Sequence, residues 1–200
     1  MDVLKSSTSP LVGVLVLVLT LGALTACGEA STPVTVPPGD YPDLTLAQSK
    51  SPVQLLRNEA VSRISEELVL NVPSNIDGSQ ACLTASEDPD GVIRRWTSSV
   101  DVNLSLSEAP NTQAIVDGVL ETFTEDGWMS HAIAGSKANN QAHLLTNETA
   151  GTTSLSLTQL SIEAIVAIDG KSSFIRVQAI GPCVVTDGTD SAEVTELSEL

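Results

Sequence analysis

Residues 93–106, IRRWTSSVDVNLSL, carry the clearest structural pattern in the chain. Because side chains of a β-strand point alternately to its two faces, this stretch would put its apolar residues on one side and its polar residues on the other. The first face would hold Trp96, Ser98, Val100, Val102, Leu104 and Leu106; the second would hold Arg95, Thr97, Asp101, Asn103 and Ser105. We expect a strand that covers one side of a core.

Two amphipathic helices are predicted on either side of this strand. The first begins at Ser51-Pro52, since serine can cap a helix, proline suits its first position and Gln54 can reach back to the cap. Its apolar positions are Leu56, Ala60, Val61, Ile64 and Leu68, it ends before Pro73, and a loop through Asp77-Gly78 follows. The second helix begins at Pro110-Asn111 and closes at Asp126-Gly127.

Further strands are predicted at 128–134, 141–147, 153–168 and 173–185, with a turn at Asp169-Gly170. Strands that follow helices in this order are typical of α+β domains. We therefore expect two helices packed on one face of a mainly antiparallel sheet of four to five strands.

The amino-terminal region predicts export and a lipid anchor. An apolar run over 11–21 is followed by Leu24-Thr25-Ala26-Cys27, which resembles the lipobox of bacterial lipoproteins. The resemblance implies cleavage before Cys27 and a diacylglycerol on its sulfur. A plain secretory signal with an incidental cysteine and a retained membrane span are the alternatives, although the run is shorter than the roughly 20 residues that a span needs.

The rest of the chain divides into three predicted parts. Residues 27–43 would be a tether, rich in proline, serine and threonine, because such a composition cannot bury a core. Residues 44–186 would form one globular domain, and the acidic residues 187–200 a flexible tail. With 1–26 as the signal peptide, the domain would lie on the outer face of the cytoplasmic membrane.

Charge limits the partners that this domain can have. The formal net charge is -16, from 25 acidic and 9 basic residues. Nucleic acid needs positive charge to replace its counterions, so it is not expected as a partner, and anionic lipid headgroups would be repelled. Five aromatic residues in 200 also argue against a surface that stacks sugars or bases.

The two cysteines beyond Cys27 are Cys82 and Cys183, and an even pair in an exported domain predicts a disulfide. A redox or nucleophilic cysteine is the alternative, but no Cys-x-x-Cys motif supports it.

The layout of lipobox, tether, helix and strands resembles small actinobacterial cell-envelope lipoproteins of the mycobacterial LppA type. The segments that carry the resemblance are Ala81-Cys82-Leu83, Asp126-Gly127-Trp128 and residues 175–183, IRVQAIGPC. The resemblance implies a compact α+β domain with a disulfide outside the cytoplasmic membrane. It supplies no activity or site residues.

Signatures of catalysis are missing from the sequence. Ser-x-x-Lys, Gly-x-Ser-x-Gly, His-Glu-x-x-His and the Walker phosphate loop do not occur. His131 and His143 lie in neighbouring predicted strands and would share a metal with Glu148 or Asp126 only if the rings met, so two separate histidines are favoured. No cofactor and no metal site are predicted.

Three other patterns have an ordinary structural interpretation that we favour. Asp88-Pro89-Asp90-Gly91 resembles part of a calcium-binding loop. The twelfth position counted from Ser86 is Thr97 rather than glutamate, so we expect a turn. The pairs Glu66-Glu67 and Glu125-Asp126 are placed to face water rather than to act as acid and base. Trp96 and Trp128 are expected in the core or at its edge rather than on a ligand face.

We therefore expect a non-enzymatic, lipid-anchored module that binds another exported protein, or a small apolar molecule between helix and sheet. An envelope hydrolase with an unrecognised site and a structural subunit of a membrane complex are the alternatives.

Overall fold

The alternating strand lies inside an antiparallel sheet. In the computed structural model, which describes residues 35–105, 112–133, 142–147, 156–166 and 173–198, seven strands and three α-helices are present. The helices are α1 (Leu46–Ser62), α2 (Thr112–Glu125) and α3 (Ala192–Ser198), with a 3-10 turn at Glu66–Leu68. The strands are β1 (Val69–Ala81), β2 (Ile93–Leu104), β3 (Met129–Ala132), β4 (Ala142–Thr146), β5 (Gln159–Val166), β6 (Ser173–Ile180) and β7 (Val184–Val185).

The spatial order of the sheet is β1-β2-β6-β5-β4-β3, and every neighbouring pair is antiparallel. The short β7 pairs with the beginning of β2, where Ile93 faces Val185. The α+β class and the antiparallel sheet are thus confirmed. The expected four to five strands are too few, and a third helix joins the two that were predicted.

One hydrophobic core lies between α1, α2 and a single face of the sheet. The predicted inward residues of β2 are buried as far as Leu104, whereas Leu106 lies outside the described residues. The largest fully buried side chains of the core come from both layers: Trp96, Phe123, Leu46, Leu145, Leu160, Ile162 and Ile175.

Helix α1 begins six residues earlier than the Ser51 cap predicted. Thr45 caps it and forms a capping box with Gln48, so Pro52 lies inside the helix. A proline in the second turn removes one backbone donor, but here the surrounding packing outweighs that loss.

Helix α2 ends where Asp126-Gly127 predicted. Gly127 has a φ of 91°, its N–H donates to the Thr124 carbonyl, and the Trp128 N–H donates to that of Phe123. This is a Schellman ending, which needs a residue able to adopt the left-handed conformation. The predicted start at Pro110-Asn111 lies outside the described residues.

Strand β1 replaces the loop that the sequence predicted through Asp77-Gly78. Its regular part begins with Ser74 opposite Asp101 and continues without interruption to Ala81 opposite Arg94. Before Ser74 the register shifts twice, between Val69 and Asn71 and between Asn71 and Ser74. Such irregularities and a proline are tolerated because β1 is the outermost strand.

The acidic end of the chain differs from the flexible tail that we expected. Residues 192–198 form α3, which packs against α1 and β1, and Val194 is buried in the main core. Glu193 Oε1 accepts the N–H groups of Leu46 (2.8 Å) and Ala47 (3.3 Å) at the start of α1. A carboxylate is favourable there because the first N–H groups of a helix have no partner within it.

The predicted disulfide between Cys82 and Cys183 is present. It joins the residue after β1 to the segment between β6 and β7, beside a small cluster with Val92, Ile93 and Tyr41. No helix in the described ranges is long and apolar enough to cross a bilayer.

Candidate functional site

The most unusual surface of the described domain is the outermost strand, β1. Of its 13 residues only Asp77 is charged, in a chain with a net charge of -16. Three large aliphatic side chains, Leu70, Val72 and Ile76, are exposed along it. Long exposed edges with apolar side chains are usually blunted with charge, because they can pair with another chain.

The backbone of β1 also directs hydrogen-bonding groups away from its neighbour β2. In an antiparallel pair, alternate residues bond to the neighbouring strand and the others face away from it. Cys82 N–H donates to the Ile93 carbonyl (2.9 Å). Every second residue before it, namely Gln80, Gly78 and Ile76, therefore directs its backbone N–H and C=O groups to β2. The intervening residues Asn75, Asp77, Ser79 and Ala81 therefore direct their N–H and C=O groups away from β2, and of these the Ser79 carbonyl accepts a hydrogen bond from Arg94 (3.3 Å).

Helix α1 holds this edge strand from the core side. Arg57 is buried and contacts the Asn75 side-chain oxygen and the Asp77 carboxylate, the latter at 3.3 Å. Trp96 Nε1 donates to the other Asp77 oxygen at 3.3 Å, and Lys50 Nζ lies 4.7 Å from the centre of the Trp96 ring. The one charge on β1 is thus bound internally, and it helps to fix the strand in place.

A shallow groove of about 350 Å³ runs beside β1 on the sheet face opposite the helices. Its lining is largely uncharged, with Ile76, Gln80, Thr97, Ser99 and Gln178 among its residues. At one side Arg176 makes two hydrogen bonds to Asp101, which raise the pKa of the Arg176 guanidinium although burial opposes them. The groove adjoins the free edge, so a chain lying along β1 would place alternate side chains over it.

All basic residues of the described domain except Arg95 form hydrogen bonds or ion pairs with other groups of the domain. Lys50 donates to the Leu197 carbonyl, Arg57 binds Asp77, and Arg63 binds Glu59 and Asp126. Arg94 is buried and donates to Ser79 and Thr189, and Arg176 pairs with Asp101. The remaining one, Arg95, is half-buried on the groove side and its Nε makes no hydrogen bond in the described part.

The two histidines lie on opposite faces of the sheet. His143 pairs with Ile162 on the core side, whereas His131 pairs with Leu144 on the other and is exposed. They cannot share a ligand, and no group of three potential metal-binding residues occurs in the described ranges. Glu148 lies outside those ranges.

His143 does have a hydroxyl neighbour. Its Nδ1 lies 3.3 Å from Ser130 Oγ, and its buried Nε2 has no partner in the described residues. No carboxylate contacts this pair in the same part of the structure, so the third member of a Ser-His-acid arrangement is missing there.

The turn at 88–91 is held by the Asp88 carboxylate, which would have to be a ligand if the turn bound calcium. Asp88 is buried, and its two oxygens accept the N–H groups of Val92 (3.0 Å) and Ile93 (2.7 Å). Burial raises the pKa of the nearby Tyr41 hydroxyl, and the negative charge of Asp88 raises it further. The site is a structural turn, as predicted.

The remaining candidates also have ordinary structural roles. Glu66, Glu67 and Glu125 are exposed, while Asp126 pairs with Arg63. Trp96 is buried in the core and Trp128 packs edge-on against Phe123, with ring centres 5.6 Å apart.

Sequence reasoning missed the β1 edge as a strand and therefore as a surface. Its exposed Leu70, Val72 and Ile76, spaced by two and four residues, were the available signal, but Pro73 and Asp77-Gly78 indicated a loop. Neither a protein-family model, nor a curated protein, nor a solved structure matches this chain.

Proposed function

We propose that this protein is a lipid-anchored lipoprotein of the bacterial cell envelope, and that it acts as a non-enzymatic module binding another exported protein along β1. The observation that carries the proposal is the nearly uncharged, apolar free edge in a strongly acidic chain. Recognition by strand addition uses such an edge, with backbone hydrogen bonds for affinity and side-chain pockets for selectivity.

The described core favours a protein partner over a small apolar molecule between helices and sheet. Trp96, Phe123 and Ile162 fill that region and are almost completely buried. The groove beside β1 is instead open, and it adjoins the edge that a polypeptide would extend.

The partner assignment is tested by photo-crosslinking in cells of the protein's own organism. A benzophenone amino acid replaces Ile76, which is 68% exposed, and in a control replaces Leu55 of α1, which is 67% exposed. We expect one exported protein to crosslink from position 76 and not from position 55. Equal crosslinking from both positions, or none from 76, would contradict the proposal.

The anchor is tested separately by Cys27→Ala. Without the sulfur no thioether to diacylglycerol can form, so we expect an uncleaved precursor or a released protein, and no incorporation of radiolabelled palmitate. A variant that stays mature-sized and membrane-bound would rule out the lipid anchor at Cys27.

A hydrolase is the second candidate, favoured only by the Ser130–His143 contact. If Ser130 were a nucleophile, a fluorophosphonate would label the full chain at this serine, and Ser130→Ala would abolish labelling. We expect no labelling of either form, because a serine needs a positioned base and an oriented acid to be activated.

A further inference from the structure

We infer that the occupant of the β1 edge is a neutral, extended segment of about eight residues with basic residues at the end that adjoins the turn after Ala81, in a partner protein of positive charge. This inference rests on the proposed function and specifies its partner. Its length follows from the uninterrupted register between Ser74 and Ala81, which spans roughly 26 Å at 3.3 Å per residue.

The charge beside this segment follows from the residues that adjoin β1. Glu66 and Glu67 are exposed in the 3-10 turn before the strand, but they precede Ser74 by seven or eight residues and lie beyond the end of the paired segment. Glu87 and Asp90 lie in the turn after it, and are exposed as well. None of these four carboxylates forms an ion pair in the part of the chain that the structure describes.

A basic partner matches both the uncharged centre and the acidic turn that follows Ala81. Lysine or arginine beyond the Ala81 end of the added strand would lie beside the carboxylates of Glu87 and Asp90, which pair with no cation in the described residues, while the centre would avoid burying a charge. A second copy of this chain is a poorer occupant, because two molecules of charge -16 would repel each other.

Synthetic peptides test the inference directly. The probe is a fluorescein-labelled peptide KKVTVTVTVKK, and its matched control is EEVTVTVTVEE, with the same neutral core. The full chain, purified in a nonionic detergent, is titrated against each by fluorescence anisotropy. At 50 mM salt we expect the lysine peptide to bind at least about tenfold more tightly, and its affinity to fall about tenfold by 500 mM salt.

Two variants separate the backbone edge from the acidic turn. Ala81→Pro removes an N–H that faces the free edge, whereas Ala81→Val keeps it, so only the proline variant should lose binding. The double variant Glu87→Gln/Asp90→Asn, which removes the two exposed carboxylates of the turn after Ala81, should weaken binding several-fold. The matched double variant Glu121→Gln/Glu125→Gln removes the same charge from exposed positions of α2 and should not.

Each outcome bears on one claim. Equal binding of both peptides would overturn the basic partner while leaving strand addition and the proposed function intact. Failure of both peptides to bind, or binding unchanged by Ala81→Pro, would overturn the strand-addition site itself. Crosslinks from position 76 to position 76 of another copy would show that the chain pairs with itself and would overturn the inference.

Discussion

Single residues decide how closely the layers of this domain approach each other. Gly181 follows β6 and donates its N–H to the Trp96 carbonyl at 2.8 Å. A Cβ at this position would lie 3.0 Å from Val53 Cγ2 and 3.3 Å from the Trp96 carbonyl oxygen. The absence of a side chain at Gly181 therefore lets the chain after β6 pass close to both the Val53 side chain of α1 and the Trp96 backbone of β2.

Gly181→Ala is expected to destabilise the fold by about 1–3 kcal/mol, because Val53 and the β2 backbone have little room to move. Gly118→Ala is the control, since a Cβ there meets nothing within 4 Å. Alanine has a higher helix propensity than glycine, and Gly118 is exposed on α2, so this variant should gain about 0.5–1 kcal/mol in free energy of unfolding. Urea denaturation measures both; a neutral Gly181→Ala would contradict the close approach.

Elements were predictable from sequence wherever a pattern was local. The alternation of β2 and the Asp126-Gly127 ending of α2 each depend on neighbouring residues, and both are found in the structure. The starts of helices were harder: Thr45 and Gln48 formed a capping box that competed with the equally plausible Ser51-Pro52. Tertiary packing decided between the two.

The candidate site could not be predicted for a different reason. Residues 69–81 contain Pro73 and Asp77-Gly78, which indicate a turn in any local reading. Their pairing with β2 makes them a strand, and their position at the end of the sheet leaves them exposed. Both properties depend on the order of strands, which pairs β2 with the distant β6 and leaves β1 outermost.

The contact of α3 with the start of α1 predicts a role for the acidic end of the chain. Glu193→Ala removes the acceptor for the Leu46 and Ala47 N–H groups and should cost about 1 kcal/mol. Glu196→Ala removes the same charge from an exposed position of α3 and should be nearly neutral. Thermal unfolding of the two variants compares them directly, and equal melting temperatures would argue against capping by Glu193.

The whole molecule combines an acidic surface with basic residues that are bound inside the domain. Arg57, Arg63 and Arg94 each join two elements, so many carboxylates of the described residues form no ion pair there. We expect such an acidic surface to repel other copies of the chain and to attract basic proteins. In the proposed function, the nearly uncharged β1 would supply the contact while the surrounding acidic surface would favour a basic partner.

The disulfide acts on the whole chain, since Cys82 and Cys183 are 101 residues apart and link the end of β1 to the last strands. Closing a loop of that length reduces the entropy of the unfolded chain, which stabilises the folded state by about 4–5 kcal/mol. The double variant Cys82→Ser/Cys183→Ser should therefore lose about 2–5 kcal/mol of unfolding free energy in urea. Reductant should lower the stability of the unmodified chain by a similar amount and leave the variant unchanged. A variant within about 1 kcal/mol of the oxidised protein would mean that the sheet holds β1 without the crosslink.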